Sequence, residues 1–278
     1  MRFAKIYLEI TNICNLDCSF CPKTKREKKE LSINEFEYIL PKIKPYTNFL
    51  YFHLMGEPLN HSKISTLLSL AEKYRFKVII TTNGTLLNKY QDILLNSKAL
   101  HKVNISLHAF EANNLKLSFK KYLDDCFKFG KENNSNKIIV YRLWNKGGNE
   151  KLNQEILETL NQYFDKEWIK NSNGFKLQEK TFLEYGKKFD WPDINIKEIN
   201  QEVYCYGLKD QIGILANGDV VPCCLDSDGN IKLGNIFEND LKTILNSNLA
   251  LEIYNGFKNK KAIHPLCKRC GYAQRFSK

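Results

Sequence analysis

Residues Thr11–Pro22 read TNICNLDCSFCP and place three cysteines within eight residues, with the spacing Cys14-x3-Cys18-x2-Cys21. They follow a strand predicted over Ala4–Ile10, so the cysteines lie in the first strand-to-helix loop. Soft thiolates select iron–sulfur clusters, and three of them can hold three irons of a 4Fe–4S cube. No fourth cysteine lies nearby, which leaves one iron open for an exchangeable ligand. Zinc is the alternative, although it normally takes four protein ligands, or three and a water.

Strand and helix patterns alternate outward from this loop over the first 165 residues. After Ala4–Ile10, the predicted strands are Phe49–Leu54, Phe76–Thr82, His101–His108 and Lys137–Trp144. The predicted helices are one opened by Ser32 with Glu35 in a capping box, then His61–Tyr74, Asn88–Ser97, Ala112–Glu132 and Asn149–Phe164. Five consecutive βα units imply a parallel sheet with right-handed crossovers, either open or closed into a barrel.

The strand periodicity favours a barrel. In His101–His108 every second residue is polar, and Ala4–Ile10 alternates in the same way. Strands of a doubly wound sheet are buried on both faces and read as nearly continuous hydrophobic runs. One polar face therefore indicates a partly closed barrel whose interior receives something polar, and no GxGxxG follows the first strand.

The rhythm breaks after residue 165. Residues 166–201 carry scattered aromatic side chains without a clear period, and we expect one or two edge strands there. Beyond them, Gln211–Leu215, an Asn-Gly turn and Val220–Val221 predict a hairpin. A helix predicted over Asp240–Leu251 leads into a Cys-x2-Cys pair.

A second set of cysteines lies in this last part of the chain. Its members are Cys205, Cys223, Cys267 and Cys270. Four thiolates form a fully ligated site, for which the spacing suits zinc and an iron–sulfur cluster equally well. Of the two remaining cysteines, Cys126 is expected to be a small core residue, and Cys224 adjoins Cys223 and competes for the ligand role.

Composition sets the broad class. The 278 residues are 43% hydrophobic and 26% charged, as in soluble globular proteins, and no apolar run approaches the ~18 residues of a membrane helix. Lys5 and Glu9 interrupt the apolar start, so we predict no signal peptide, a cytoplasmic protein and no membrane partner. The net charge of +11 is spread along the chain. An anionic small substrate or solvated loops explain that charge, so we expect no nucleic-acid partner.

TNICNLDCSFCP resembles the signature of radical S-adenosylmethionine (radical SAM) enzymes. The resemblance implies that the methionine amino and carboxylate groups chelate the open iron, and that the cluster cleaves the sulfonium to release a 5′-deoxyadenosyl radical. Met55-Gly56-Glu57-Pro58 is similar to the family's Gly-Gly-Glu-Pro motif, with Met in place of the first glycine. The resemblance assigns Gly56 and Glu57 to the methionine ammonium, Phe20 to the adenine, Asn83 to a frequent Thr-Asn-Gly element, and Ser106 and His108 to the ribose. Arg142, on the fifth strand, is our candidate partner of the methionine carboxylate, by bidentate pairing.

The C-terminal part resembles the extension of these enzymes called SPASM, or its shortened form, twitch. No cysteine follows Cys270, so we expect the form with one auxiliary 4Fe–4S cluster. Neighbouring strand residues point in opposite directions, and the spacing Gly218-x4-Cys223 favours Cys223 over Cys224 as ligand. The implied fold is α/β: a partial (β/α)6 barrel over 1–165, a connecting segment over 166–200 and a twitch domain over 201–278.

The resemblance implies a dehydrogenase-type reaction on a polar small molecule, a sugar or cyclitol derivative, with the auxiliary cluster accepting an electron. Lys146 before Gly147-Gly148 is our candidate substrate-side residue. A reducing partner such as flavodoxin or ferredoxin is expected. The alternatives are a peptide maturase, an RNA-modifying enzyme, a non-catalytic iron–sulfur protein and a zinc-stabilised module. The first strand at Ala4 leaves no room for a leader-recognition domain, which disfavours the maturase, although such a domain can be a separate protein.

Overall fold

The computed structural model describes residues 2–133, 137–200 and 202–276, and these form one mixed sheet with helices packed against it. The strands are β1 (Lys5–Leu8), β2 (Phe49–Tyr51), β3 (Lys77–Thr82), β4 (Leu100–Ser106), β5 (Ile138–Lys146), β6 (Ile169–Asn171), β7 (Gly174–Gln178), β8 (Thr181–Lys187), β9 (Gln211–Ile214), β10 (Asp219–Val221) and β11 (Gly234–Asn235). The α-helices are α1 (Ile33–Ile43), α2 (Ile64–Lys73), α3 (Leu87–Asn96), α4 (Phe119–Lys131), α5 (Asn153–Tyr163), α6 (Leu241–Leu245), α7 (Asn248–Lys258) and α8 (Pro265–Lys268). Short 3-10 helices cover Pro58–Asn60, Leu107–Ala109 and Gly271–Phe276.

Six neighbouring strands, β1-β2-β3-β4-β5-β8, run parallel, and a helix lies in each of their five connections. The predicted α/β architecture is therefore confirmed. The capping box that opens α1 is also present, with Ser32 and Glu35 each bonding the other's backbone N–H. Helix α4 begins seven residues later than predicted. Asn113, in the predicted first turn, instead donates to the Ala109 carbonyl, which is the local bonding by which asparagine competes with a helix.

The sheet curls so that its polar face is enclosed. Ile6 and Leu8 of β1 belong to the main core between the sheet and the helices, whereas Tyr7 lies on the opposite face. If the sheet were flat, β1 and β5 would lie about 19 Å apart. At that distance salt largely screens the interaction between two charges. The pKa of Lys5 on β1 is nevertheless lowered, first by burial and also by Arg142 of β5. The inner faces of the two strands therefore approach each other.

The expectation of only edge strands in residues 166–201 is wrong for one of them. β6 and β7 form an antiparallel hairpin at the edge, but β8 lies inside the sheet between β5 and β7. Only Thr181 and Leu183 of β8 pack against the core. Its inner face combines Phe182 and Glu184 with Gly186, where an added Cβ would lie 2.8 Å from the Trp144 ring. This mixed inner face hides the strand's period.

The C-terminal part continues the sheet from its other edge. β9 pairs in parallel with β1, and β10 and β11 follow antiparallel, so the predicted hairpin is confirmed. The single helix predicted over Asp240–Leu251 is wrong, because the chain breaks it into α6 and α7. Ser247 caps α7 by accepting the N–H of Ala250, which ends the preceding helix at that point. None of the helices that the structure describes has the length and apolar character needed to cross a membrane.

Candidate active site

The cysteine loop follows β1 and gathers Cys14, Cys18 and Cys21 at the carboxyl ends of the parallel strands. The sulfurs of Cys14 and Cys21 each accept a backbone N–H two residues ahead, at 3.4 Å, and Cys18 Sγ accepts Asn113 Nδ2 at 3.1 Å. Burial raises the pKa of all three thiols, that of Cys14 to about 11. Soft sulfurs supplied with N–H donors suit an anionic iron–sulfur cluster, whose bound iron would keep the thiolates deprotonated.

Glu57 is buried beside this loop and is held by two backbone N–H groups and by the side chain of Thr82. Its Oε1 accepts the N–H of Leu59 at 3.1 Å, and its Oε2 accepts the N–H of Asn83 at 2.8 Å. Burial raises its pKa to about 7. The side-chain amide of Asn83 reaches Asn15 Oδ1 at 2.9 Å and lies 3.9 Å from Cys14 Sγ. The structure therefore brings Glu57 and Asn83 to the cysteine loop, where an ammonium group would find a carboxylate.

Gly56 lets the motif that contains Glu57 approach the cysteine loop closely. Its φ is +75°, and an added Cβ would overlap the backbone of Thr11 and lie 2.9 Å from Asn12 Cα. The N–H of Glu57 bonds the carbonyl of Ile13 at 3.0 Å. Met55, which replaces the family's first glycine, is buried and donates its backbone N–H to Glu9 Oε1.

The side chains of Phe20, in the cysteine loop, and His108 contact each other. Their ring centroids lie 5.1 Å apart, and His108 Nδ1 is 3.1 Å from the carbonyl oxygen of Arg142. Burial lowers the pKa of His108 to about 4, so the ring is neutral at pH 7. His108 lies in a 3-10 turn rather than on the predicted strand, which ends at Ser106.

The Arg142 side chain is largely buried on the inner face of β5, beside Glu184 of β8. Its Nε is 3.7 Å from Glu184 Oε2, and its guanidinium lies 4.4 Å from the Trp144 ring centre. Lys146 is exposed at the carboxyl end of β5. The structure thus places these two predicted residues on one strand at different depths.

The four C-terminal cysteines lie near one another. Burial raises the pKa of Cys223, and Cys224, Cys205, Cys270 and Cys267 each raise it further, so the thiol of Cys223 lies among the other three predicted ligands. Cys224 faces the other way. Burial raises the pKa of Cys224. A hydrogen bond with Tyr7 and the charge of Lys5 partly lower it again, and both of these residues lie on the inner face of β1. Within the described ranges, no three His, Cys, Asp or Glu side chains converge as ligands of a single ion would.

Sequence reasoning missed Glu9 and Arg26. The fully buried Glu9 carboxylate binds the Arg26 guanidinium through two bonds of 2.7 and 2.8 Å, and it also accepts the N–H groups of Met55 and Ala216. The usable signal was an acid on the inner face of β1. Arg26 was hidden in the basic run Lys23–Glu30, which reads as a solvated loop.

Two family models match this chain. The model of the radical SAM superfamily matches residues 8–131, which contain the cysteine loop, Glu57 and His108. The model of SPASM, an iron–sulfur cluster-binding domain, matches residues 205–271. The chain therefore contains a radical SAM domain followed by a SPASM domain. The radical SAM domain binds a 4Fe–4S cluster and S-adenosylmethionine. The SPASM domain binds auxiliary iron–sulfur clusters.

Curated relatives match parts of this chain. A tungsten-containing aldehyde ferredoxin oxidoreductase cofactor-modifying protein of Pyrococcus furiosus is 37% identical over 86 residues, 30% of this chain and 24% of the relative. The S-adenosyl-L-methionine-dependent 2-deoxy-scyllo-inosamine dehydrogenase of Niallia circulans is 25% identical over 114 residues, 38% of this chain and 46% of the relative. The matches thus span less than half the length of these relatives.

Solved structures share the fold over nearly the whole chain. BtrN in complex with AdoMet and 2-DOIA superposes with a TM-score of 0.62 at 20% identity, covering 97% of this chain and 94% of BtrN. SuiB of Streptococcus suis bound to S-adenosylmethionine gives 0.66 at 19% identity, covering 100% of this chain and 75% of SuiB. Identities this low establish the fold alone.

Proposed function

We propose that this radical SAM enzyme oxidises a hydroxyl group of a polar small molecule, a sugar or cyclitol derivative, to a ketone. The observation that carries the proposal is the position of the polar barrel interior between the two cysteine sites. Phe20 and His108 connect the interior to the cysteine loop, and Cys224 with Tyr7 connects it to the second site. The 2-deoxy-scyllo-inosamine dehydrogenase match supports this reaction type.

The reaction requires a hydrogen atom, a proton and an electron to leave the substrate by separate routes. When bound, the first cluster with S-adenosylmethionine supplies the hydrogen-abstracting radical, and the auxiliary cluster supplies the electron acceptor. We propose that Cys14, Cys18 and Cys21 hold the first cluster and that Cys205, Cys223, Cys267 and Cys270 hold one auxiliary 4Fe–4S cluster. The carbon loses its hydrogen atom, the hydroxyl loses its proton, and one electron leaves toward the SPASM domain.

The chain's own residues bind and orient the reactants. In this proposal Glu57 binds the methionine ammonium, Asn83 orients the loop, and Phe20 with the neutral His108 packs on the nucleoside. Lys146 is proposed to contact a substrate oxygen or to take its proton, since active-site residues of βα barrels lie at the carboxyl ends of strands. A small electron-transfer protein such as flavodoxin or ferredoxin is the proposed reductant.

Anaerobic reconstitution tests the cofactor part of the proposal. The wild type should bind about eight irons and eight sulfides, the content of two 4Fe–4S clusters. A variant with Cys14, Cys18 and Cys21 replaced by Ala should keep about half of the iron and form no 5′-deoxyadenosine under reductant. Continued 5′-deoxyadenosine formation by that variant would overturn the radical assignment.

The oxidation is tested with cyclitols and sugars deuterated at each alcohol carbon. The expected result is one deuterium in 5′-deoxyadenosine for each ketone formed, with Lys146→Met reducing ketone formation at least tenfold, about 1.4 kcal/mol in barrier. Lys151→Met changes an exposed lysine of the following loop and is the matched control. Substrate-dependent 5′-deoxyadenosine with a product at the substrate's own oxidation level would contradict a dehydrogenase.

A further inference from the structure

Two cations flank one carboxylate inside the barrel, and the charge of a third cation, Lys5, acts on one of them. Lys102 Nζ of β4 lies 3.9 Å from Glu184 Oε1, and Arg142 Nε of β5 lies 3.7 Å from Glu184 Oε2. Lys5 Nζ of β1 lies 5.2 Å from the centre of the Tyr51 ring. These side chains come from strands far apart in sequence, and the curl of the sheet points them at one interior space.

The donors in this space exceed the acceptors. In the part of the chain that the structure describes, three nitrogens and one acceptor oxygen are buried without a hydrogen-bond partner: Arg142 Nε, Trp144 Nε1, His53 Nδ1 and Asn104 Oδ1. Buried polar groups are nearly always bonded in native proteins, so each such atom calls for a ligand. Lys102, Glu184 and Arg142 also keep 24%, 23% and 16% of their side-chain surface exposed, which shows that open space remains beside them.

The charges are unbalanced as well. Burial lowers the pKa of both Lys5 and Lys102, and the charge of Arg142 lowers each further, which means that the three cations repel one another. Glu184 faces Lys102 and Arg142, and Asp210 raises the pKa of Lys5, so two carboxylates face three cations. The His53 ring is neutral, because burial and then Arg142 and Lys5 lower its pKa to about 3. Buried charges are stable only when paired, so the interior lacks an anion.

The location fits a substrate rather than S-adenosylmethionine. The carbonyl oxygen of Arg142 lies next to His108, which contacts Phe20, whereas the Arg142 guanidinium lies against Glu184 and Trp144. The charge of Arg142 also lowers the pKa of Tyr51 on β2 and of His53 just after that strand.

We propose that Lys5, Lys102 and Arg142 bind an oxyanion carried by the substrate, a phosphate or a carboxylate. This inference rests on the proposed function, because it names the substrate class of the same site. It assigns Arg142 to the substrate rather than to the methionine carboxylate. It also separates this chain from the matched inosamine dehydrogenase, since an amino group would meet three cations here.

Inorganic phosphate and acetate serve as probes of the reconstituted holoenzyme with excess S-adenosylmethionine. In the dithionite-reduced enzyme the clusters are paramagnetic and broaden the resonances of nearby bound molecules. The ³¹P line of phosphate or the methyl line of acetate should broaden in the wild type, and the stronger effect identifies the preferred oxyanion. Broadening of neither line would overturn the proposal.

Substitutions at the interior residues test whether phosphate and acetate bind there. Lys102→Gln should weaken probe binding at least tenfold, and Glu184→Gln should strengthen it at least threefold, because the competing carboxylate is removed. A folding defect cannot strengthen binding, so the second variant keeps the test valid if the first is unstable. Lys120→Gln, an exposed lysine on α4, should match the wild type. Equal broadening in wild type and both interior variants would overturn the proposal.

Two further outcomes separate this inference from the others. If Arg142→Gln weakens S-adenosylmethionine binding at least tenfold and leaves phosphate and acetate binding intact, Arg142 serves the methionine carboxylate and the inference is wrong. Probe binding requires no turnover. A holoenzyme that binds the oxyanion at these residues but forms no ketone would therefore refute the dehydrogenase and not the anion site.

Discussion

Two buried carboxylates, Glu9 and Glu57, differ in their hydrogen-bond partners, and this difference indicates which of them can bind a ligand. Glu9 pairs with a guanidinium and two backbone N–H groups, which complete its bonding capacity. Glu57 has only uncharged donors, the N–H groups of Leu59 and Asn83 and the Thr82 side chain, which offset burial incompletely and leave its pKa at about 7. A bound ammonium would complete the site of Glu57, whereas Glu9 has no room for a ligand.

The raised pKa of Glu57 predicts a pH dependence of S-adenosylmethionine binding. The carboxylate binds the methionine ammonium, and below about pH 7 it becomes protonated, so its contribution to affinity is lost as pH falls. The ratio of wild-type to Glu57→Gln affinity should therefore shrink severalfold between pH 8 and pH 6, measured by equilibrium binding to the reconstituted enzyme. Glu37→Gln, a change on the surface of α1, is the control. A ratio that stays constant over this range would exclude Glu57 from ammonium binding.

The neighbouring thiols Cys223 and Cys224 should differ in iron binding. Cys223 lies among the other predicted auxiliary ligands, and Cys224 faces Tyr7 and Lys5. Cys223→Ser should lower the iron content toward that of one cluster, and Cys224→Ser should leave it nearly unchanged, by iron and sulfide analysis after reconstitution. The reverse result would show that Cys224 is the ligand.

Among the elements, the loop after β2 shows how backbone geometry positions a side chain. Gly56 adopts a left-handed conformation and packs on the backbone of Thr11 and Asn12, immediately before the first cysteine. The N–H of Glu57 then bonds Ile13. The β1 and β2 loops therefore hold each other in place, and Glu57 and Cys14 move together if either loop shifts.

Gly56→Ala should displace the cysteine loop. Its Cβ cannot fit against the backbone of Thr11, so we expect a loss of at least tenfold in S-adenosylmethionine affinity and a lower iron content of the first cluster. Gly147→Ala is a matched control, since Gly147 also has a positive φ, +83°, but no atom lies within 4 Å of the position that its added Cβ would occupy. Both variants carry the strain of about 1 kcal/mol for a left-handed alanine. Equal binding by the two variants would show that the close approach at Gly56 is unimportant.

At the scale of the whole molecule, the two domains share one sheet and one buried ion pair. β9 of the SPASM region pairs with β1, and Glu9 on the continuation of β1 accepts the N–H of Ala216. Arg26, beyond the cysteine loop, donates its Nε to the Ser227 carbonyl at 3.0 Å. The Glu9–Arg26 pair thus joins the first strand, the cysteine loop and the SPASM hairpin.

Removing the cation should destabilise the fold. Arg26→Ala leaves the Glu9 carboxylate buried without its partner, which should lower the free energy of unfolding by about 3–5 kcal/mol in anaerobic urea titrations. Because the two residues act as a unit, the double variant with Glu9→Gln should cost less than the sum of the single changes. Lys25→Ala, at the adjacent exposed position, should change stability by no more than about 0.5 kcal/mol. Strict additivity in the double variant would exclude a coupled pair.

Local patterns were sufficient for much of this protein. The spacing of Cys14, Cys18 and Cys21, the Ser32 capping box and the alternating polar face of β1 each depend on residues within a few positions of one another. Such features follow from the periods of strands and helices, so the sequence by itself determined the βα order, the polar interior and the family resemblance.

Tertiary structure alone decided what meets inside the barrel. A period of two shows that Lys5, Lys102 and Arg142 face inward, but it does not show that they face one another across the curled sheet. It likewise does not reveal that Glu9 selects Arg26 from a basic run, or that β8 inserts beside β5. These outcomes depend on strand order and sheet curvature, which arise from contacts between segments distant in sequence and leave no local period to detect.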